Sequence, residues 1–131
     1  MSKIPADLKY AQTHEWVRTL PDGVVEIGIT DHAQQALGDL VFVEAPEPGR
    51  RVGAHEPFAV VESVKAASDI YSPVAGEVVA ANAELASAPE RINQEPYGAG
   101  WIARIRPDDP ASLADLLAPA DYGKLLEAEG D

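Results

Sequence analysis

Short hydrophobic stretches rich in β-branched residues recur along the chain, separated by turn-forming Pro and Gly. This pattern is typical of β-strands. The predicted strands cover residues 14–20, 24–29, 40–45, 57–64, 67–73, 76–82 and 101–106. The first two flank "PDG" (21–23), which predicts a hairpin. The strand spacing favours a small antiparallel sandwich or barrel over alternating β-α-β units.

Helical signals occur first at residues 30–38, "TDHAQQALG". Asp31 is the predicted N-cap, with Gln34 three residues later as in a capping box. Gly38 is the predicted terminator, because glycine readily adopts the left-handed conformation that follows many helices. We therefore expect one short helix between the second and third strands.

The C-terminal part of the chain is predicted to be helical, at residues 109–117 and 119–129. Residues 81–100 are irregular, and we expect a short helical turn and a loop there. The prediction is therefore one mainly β domain over residues 1–131, with its core at about 10–107 and a helical segment at about 109–129.

Composition narrows the range of partners. The net charge is −12, with 22 acidic against 10 basic residues, and such a field repels phosphate backbones and anionic membranes. We expect neither nucleic-acid nor membrane binding, and a monomer. Cysteine is absent, which excludes disulfides and thiolate metal sites. No targeting or membrane-spanning pattern occurs, so the expected location is cytoplasmic, or the mitochondrial matrix for a processed chain.

The sequence carries no catalytic constellation. The three histidines, His14, His32 and His55, are far apart along the chain, and none forms a pair with metal-binding helical spacing. Nucleophile-elbow and phosphate-loop motifs are also missing. We therefore expect no metal site and no enzymatic activity.

One lysine stands out within "VVESVKAASDIYSP" (60–73). Lys65 lies between Val64 and Ala66, at the predicted turn between two strands. Such small neighbours leave an ε-amine accessible, and acylation of that amine would attach a cofactor and remove the charge. On its own chemistry, an ordinary exposed lysine explains the residue equally well.

Longer segments resemble one family. "GITDHAQQALGDLVFVE" (28–44), "VVESVKAASDIYSPVAGEVV" (60–79), "PYGAGW" (96–101) and "HEWV" (14–17) look like the H-protein family of lipoyl carriers in glycine cleavage. The resemblance spans essentially the whole chain. It implies a barrel-sandwich hybrid with short flanking helices and a helical C-terminus. It also implies lipoic acid bound covalently to Lys65 as N6-lipoyllysine.

The resemblance implies roles for further residues. Glu62 and Gly76 match positions that the family's lipoate ligase or lipoyl transferase recognises. Thr13, Glu15 and Asp69 match a cleft in which the loaded arm docks. From the residues alone, these carboxylates are equally explained as solvated surface groups.

The implied activity is that of a non-catalytic carrier. The lipoyl group takes an aminomethyl unit from glycine decarboxylase (P protein) and delivers it to the aminomethyl transferase (T protein). Dihydrolipoamide dehydrogenase (L protein) then reoxidises it. An H-like protein that relays lipoate to 2-oxoacid dehydrogenases is an alternative, as is an unmodified interaction domain. A biotin carrier would be expected to have Met beside the lysine, where this chain has Val64 and Ala66.

Two positions depart from the family pattern. His55 stands where glycine is usual, ten residues before the lysine, with Gly53 two residues earlier. A glycine there would suit a positive φ, which His adopts only occasionally. Ala59 stands where a small glycine is common. Both departures concern local geometry rather than Lys65.

Overall fold

The computed structural model describes residues 3–129, which form nine strands, three α-helices and two 3-10 helices. The strands are β1 (Lys9–Tyr10), β2 (Glu15–Thr19), β3 (Val25–Ile29), β4 (Leu40–Glu44), β5 (Arg51–Val52), β6 (Pro57–Ser63), β7 (Ala67–Tyr71), β8 (Gly76–Ala81) and β9 (Ala103–Pro107). The helices are α1 (Asp31–Leu37), α2 (Arg91–Gln94) and α3 (Pro119–Ala128). The 3-10 helices are Ala83–Ala86 and Pro110–Asp115.

The strands form two antiparallel sheets. Six strands are ordered β1-β2-β3-β9-β8-β5, and three are ordered β4-β6-β7. The main hydrophobic core contains buried side chains of both sheets, among them Ile27, Val61 and Ile105. The predicted mainly β, two-sheet architecture is confirmed, and the hairpin around "PDG" is the β2–β3 pair. The extent of the domain stays a prediction, since residues 1–2 and 130–131 lie outside the described range.

A second hydrophobic cluster attaches the C-terminal helix. Tyr10 and Tyr122 stack with their ring centroids 4.6 Å apart, beside Trp16 and Leu126. Within the helical region predicted at 109–117, residues 110–115 form a 3-10 helix rather than an α-helix. The cluster holds α3 against β1 and β2, which brings Glu129 close to His32 of α1.

The start of α1 corrects one prediction. The N-cap is Thr30, whose hydroxyl accepts a hydrogen bond from the Ala33 amide at 3.3 Å, and Asp31 is already helical. Thr and Asp are both good N-caps, so the sequence pattern left the register open by one residue. Termination at Gly38 is confirmed by its φ of +83° and its N–H bond to the Gln34 carbonyl.

The sequence pattern missed the two shortest strands. β1 and β5 contain two residues each, too few for alternation to be recognised. The positive φ considered for His55 is present, at +66°. His14 also has a positive φ, +73°, which no sequence signal indicated. Among residues 3–129, no helix combines the length and apolar character needed to span a bilayer.

Candidate functional site

The site is built on the lysine hairpin, formed by β6, turn residues 64–66 and β7. β6 pairs with β7 in antiparallel register, from Pro57 opposite Tyr71 to Glu62 opposite Ala67. β6 also pairs with β4 on its other edge, so the hairpin continues a three-stranded sheet. Lys65 lies at the middle of the turn and is exposed.

Ser63 shapes the turn, a role the sequence reasoning did not assign. Its hydroxyl oxygen accepts hydrogen bonds from the amides of Lys65 and Ala66, at 3.1 and 3.2 Å. Its backbone amide donates to the Ala66 carbonyl at 2.8 Å. Such local side-chain bonds to the backbone are characteristic of Ser in turns. The turn that presents the lysine is therefore held by hydrogen bonds rather than by packing.

The Lys65 side chain lies along the end of α1. Its Nζ donates to the Ala36 carbonyl at 3.1 Å, where a cation complements the partial negative charge of a helix C-terminus. A Cβ added at Gly38 would lie 3.3 Å from Lys65 Cε. Gly38 thus ends the helix and also leaves space for the lysine stem.

A cleft of about 300 Å³ adjoins this contact. We call it the α1 cleft, since it lies between α1 and the two sheets. Its lining residues are Thr13, His14, Ile29, His32, Ala33, Ala36, Leu37, Ser68 and Ile70. Ala36, the partner of the Lys65 amine, is among them, so the lysine lies at the edge of the cleft.

Glu15 is buried directly behind Thr13. It is 1% exposed and accepts hydrogen bonds from the Thr13 hydroxyl and, at 3.3 Å, from the Tyr71 amide. Burial raises the pKa of Glu15 to about 7, while these two hydrogen bonds limit the rise by stabilising the charged form. Since Tyr71 belongs to β7 and Glu15 to β2, the carboxylate also links the two sheets. The interpretation of Glu15 as a solvated surface carboxylate is therefore excluded.

Asp69 lies apart from Thr13 and Glu15. Successive side chains of a strand point to opposite faces. Ser68 and Ile70 line the α1 cleft, whereas the exposed Asp69 lines a different cavity of about 490 Å³. The structure therefore brings together two of the three residues matched to arm docking, and the role of Asp69 stays a prediction.

The two residues matched to ligase recognition lie in different sheets. Glu62 is exposed on β6, three residues before Lys65, and is paired with Phe42 of β4. Gly76 is buried in β8 of the six-stranded sheet, opposite Pro107. A Cβ there would overlap the backbone carbonyl oxygen of Arg106 and lie 2.9 Å from its carbonyl carbon. Close strand packing therefore explains this glycine directly.

Tertiary folding also brings His14 and His32 together with Glu129. Their ligand atoms all lie within 4.8 Å of one another. The two histidines are 18 positions apart in the chain, and the glutamate follows the last helix, so no local spacing pattern could have indicated this cluster.

Comparison with known proteins agrees with this architecture. The family model described as "Glycine cleavage H-protein" matches residues 8–129. A glycine cleavage system H protein of Alkalilimnicola ehrlichii is 60% identical over 129 residues, covering 98% of this chain and 99% of the relative. One of Nitrosospira multiformis is 59% identical over 126 residues, covering 96% and 97%.

A solved structure extends the similarity to the fold. The crystal structure of a glycine cleavage system H protein from Mycobacterium marinum superimposes with a TM-score of 0.87 at 40% identity. It covers 95% of this chain and 99% of that one. Sequence and fold agree over nearly the full length. The chain belongs to the glycine cleavage H-protein family.

Proposed function

We propose that this protein is the lipoyl carrier of a glycine cleavage system and that Lys65 is its attachment residue. The family is one of carriers and not of catalysts. The observation that carries the assignment to Lys65 is its position. An exposed amine lies at the end of a projecting hairpin, at the edge of a mainly apolar cleft.

The residues around Lys65 fit a lipoyl group. Ala66 adds little bulk beside Lys65, and the larger Val64 side chain is 71% exposed. Attached as an amide, the lipoyl group would supply a disulfide: one sulfur would take the aminomethyl unit while the other became a thiol, and only onward transfer of that unit would leave a dithiol. Lysine and lipoyl together add roughly ten single bonds of about 1.5 Å each, enough to reach either the α1 cleft or a partner's buried site.

The α1 cleft is the proposed resting place of the loaded arm. Ile29, Leu37 and Ile70 offer apolar surface to the arm's methylenes, and Thr13 offers a hydroxyl. Glu15 behind Thr13 is a buried carboxylate with a pKa of about 7. A cationic amine at the Thr13 hydroxyl would favour the charged form of this carboxyl group behind it. The cleft thereby shelters the amine from water and compensates its charge.

The implied partners are glycine decarboxylase, the aminomethyl transferase, dihydrolipoamide dehydrogenase and the enzyme that attaches lipoate. The deciding experiment is aminomethyl loading. Purified lipoylated protein, incubated with glycine and glycine decarboxylase, is expected to gain the mass of one aminomethyl group per chain. The unlipoylated chain is the control and is expected to gain nothing.

The lipoate-relay alternative makes a different prediction when a 2-oxoacid dehydrogenase subunit and a lipoyl transferase are added to this assay. A relay protein would lose its lipoyl group to a 2-oxoacid dehydrogenase subunit and would not be loaded by the decarboxylase. Loss of lipoyl mass without aminomethyl gain would therefore contradict the carrier proposal.

Glu62 is proposed as the recognition residue for lipoate attachment. It is exposed and lies on the same hairpin as the lysine, so Glu62→Ala is expected to slow lipoylation by roughly tenfold or more, the effect of losing one charged hydrogen bond. The measurement is the initial rate of mass gain with purified ligase. Thermal unfolding is expected to be unchanged, because the side chain is on the surface.

The matched control is Glu44→Ala. Glu44 is exposed on the adjacent strand β4, and its replacement removes the same charge from the same sheet. It is expected to be lipoylated at the wild-type rate. Equal slowing in both variants would mean that the ligase senses only overall charge, and Glu62 would lose its specific role.

A further inference from the structure

We propose that His14, His32 and Glu129 form a binding site for a divalent transition-metal cation of the Zn²⁺ class, beside the α1 cleft. The argument for the site uses geometry and does not depend on the carrier function, although His14 and His32 also line the α1 cleft. Two imidazoles and one carboxylate form a donor set that Zn²⁺ accepts, with a fourth position left for water.

The distances between the ligand atoms approach those of a tetrahedral site. Glu129 Oε1 lies 3.1 Å from His14 Nε2 and 3.8 Å from His32 Nε2. With Zn–N and Zn–O bonds near 2.0–2.2 Å, neighbouring ligands in a tetrahedron are separated by about 3.3–3.5 Å. The two imidazole nitrogens lie within 4.8 Å of each other, so binding requires the three side chains to close around the ion. Both imidazoles are 20% exposed, which allows an ion to enter from solvent.

The His14 ring is oriented from behind. Its Nδ1 lies 2.8 Å from the Tyr122 hydroxyl, which lies 2.7 Å from the buried Thr30 hydroxyl. When Tyr122 donates to Thr30, its oxygen accepts from His14 Nδ1–H, which leaves the Nε2 lone pair for a bound ion; without an ion, a protonated Nε2 pairs with Glu129 Oε1. Metal-bound histidines characteristically have the second ring nitrogen hydrogen-bonded in this manner.

The backbone at His14 sets the direction of its side chain. Its φ of +73° lies in the left-handed region, which Asn, Asp and His adopt more often than other residues with a side chain. The strand β2 begins at the next residue, so this conformation directs the ring toward α1 and the end of α3. The His14 and His32 ring centroids lie 4.7 Å apart. An ion bound here would join β2, α1 and the segment after α3.

The test is a Zn²⁺ titration of the untagged full chain, competed against a chromogenic chelator. Excess Mg²⁺ is included to occupy surface carboxylates, since Mg²⁺ prefers oxygen ligands. One Zn²⁺ per chain is expected for the wild type. His14→Asn, His32→Ala and Glu129→Gln are each expected to weaken binding by roughly tenfold or more, as loss of a ligand should exceed the effect of an outer-shell change.

The matched control is His55→Asn. His55 also has a positive φ and lies outside the cluster, and Asn tolerates this conformation at both histidine positions. His55→Asn is expected to retain wild-type affinity. His32→Ala protects the test against misfolding, because Ala favours the helix that His32 occupies. Co²⁺ substitution, with the visible absorption of a tetrahedral ion, is the second readout.

Three results would overturn the proposal. The first is the absence of stoichiometric Zn²⁺ binding in excess Mg²⁺. The second is wild-type affinity in all three ligand variants. The third is an equal loss of affinity in His55→Asn, which would indicate diffuse binding by an acidic surface.

Discussion

Lys65→Arg is expected to abolish lipoylation and, with it, all aminomethyl loading. Lipoate attachment forms an amide with a lysine amine, and a guanidinium, which stays protonated, is not a substrate for that acyl transfer. The fold is expected to persist, because Arg keeps the positive charge and a donor within reach of the Ala36 carbonyl at the end of α1. Unfolding free energy should change by no more than about 0.5 kcal/mol.

Intact mass of protein from lipoate-replete cells is the measurement for this variant. The matched control is Lys124→Arg, a replacement of the same kind in α3, which is expected to keep the modification. Persistence of the lipoyl mass in Lys65→Arg would place the attachment on another lysine and refute the assignment. Failure of the wild type to acquire any modification would refute the carrier proposal itself.

Gly76→Ala is expected to lower the stability more than any other variant proposed for this protein. Its added Cβ would overlap the Arg106 carbonyl in the adjacent strand β9, and a backbone atom in a paired sheet cannot rotate away. Overpacking of this kind costs about 3 kcal/mol or more when the backbone must move. For a chain of this size we expect a fall in Tm of roughly 10 °C or more. Thermal unfolding followed by circular dichroism measures it.

The control for this prediction is Gly53→Ala. A Cβ at Gly53 would meet only the Glu56 carboxylate, at 3.5 Å, and Gly53 adjoins β5, the strand that pairs with β8. Its Tm is expected to stay close to wild type. The same Tm for Gly76→Ala and Gly53→Ala would contradict the steric argument. The rate at which Gly76→Ala is lipoylated, measured well below its Tm, then distinguishes a packing role of Gly76 from a role in ligase recognition. A normal rate would leave packing as the only role of this glycine.

The lysine hairpin was predictable because its determinants are local. Strand alternation and the small residues around Lys65 are properties of consecutive positions, and the observed β6 and β7 agree with them. The same holds for Gly38, whose positive φ follows from its place at a helix end. The N-cap was misplaced by one residue, because Thr30 and Asp31 have nearly the same capping preference.

Properties that depend on distant contacts were not predictable. The pattern around Glu15 is compatible with a surface carboxylate, yet burial between β2 and β7 raises its pKa to about 7. Asp69 matched the same cleft in sequence, but strand alternation directs it to another cavity. Gly76 matched a recognition position, and only its register with β9 gives it a packing role.

The mainly β class and the lysine at a turn follow from the linear sequence, and its family resemblance indicates the carrier role. Periodicity, turn propensity and short motifs arise from neighbouring residues, and a linear pattern records them directly. The surroundings of that lysine depend on the tertiary structure. It placed the Ala36 carbonyl under the Lys65 amine, Glu15 behind Thr13, and His14 beside His32. These neighbours come from separate elements, and their meeting depends on sheet order, register and the docking of α3.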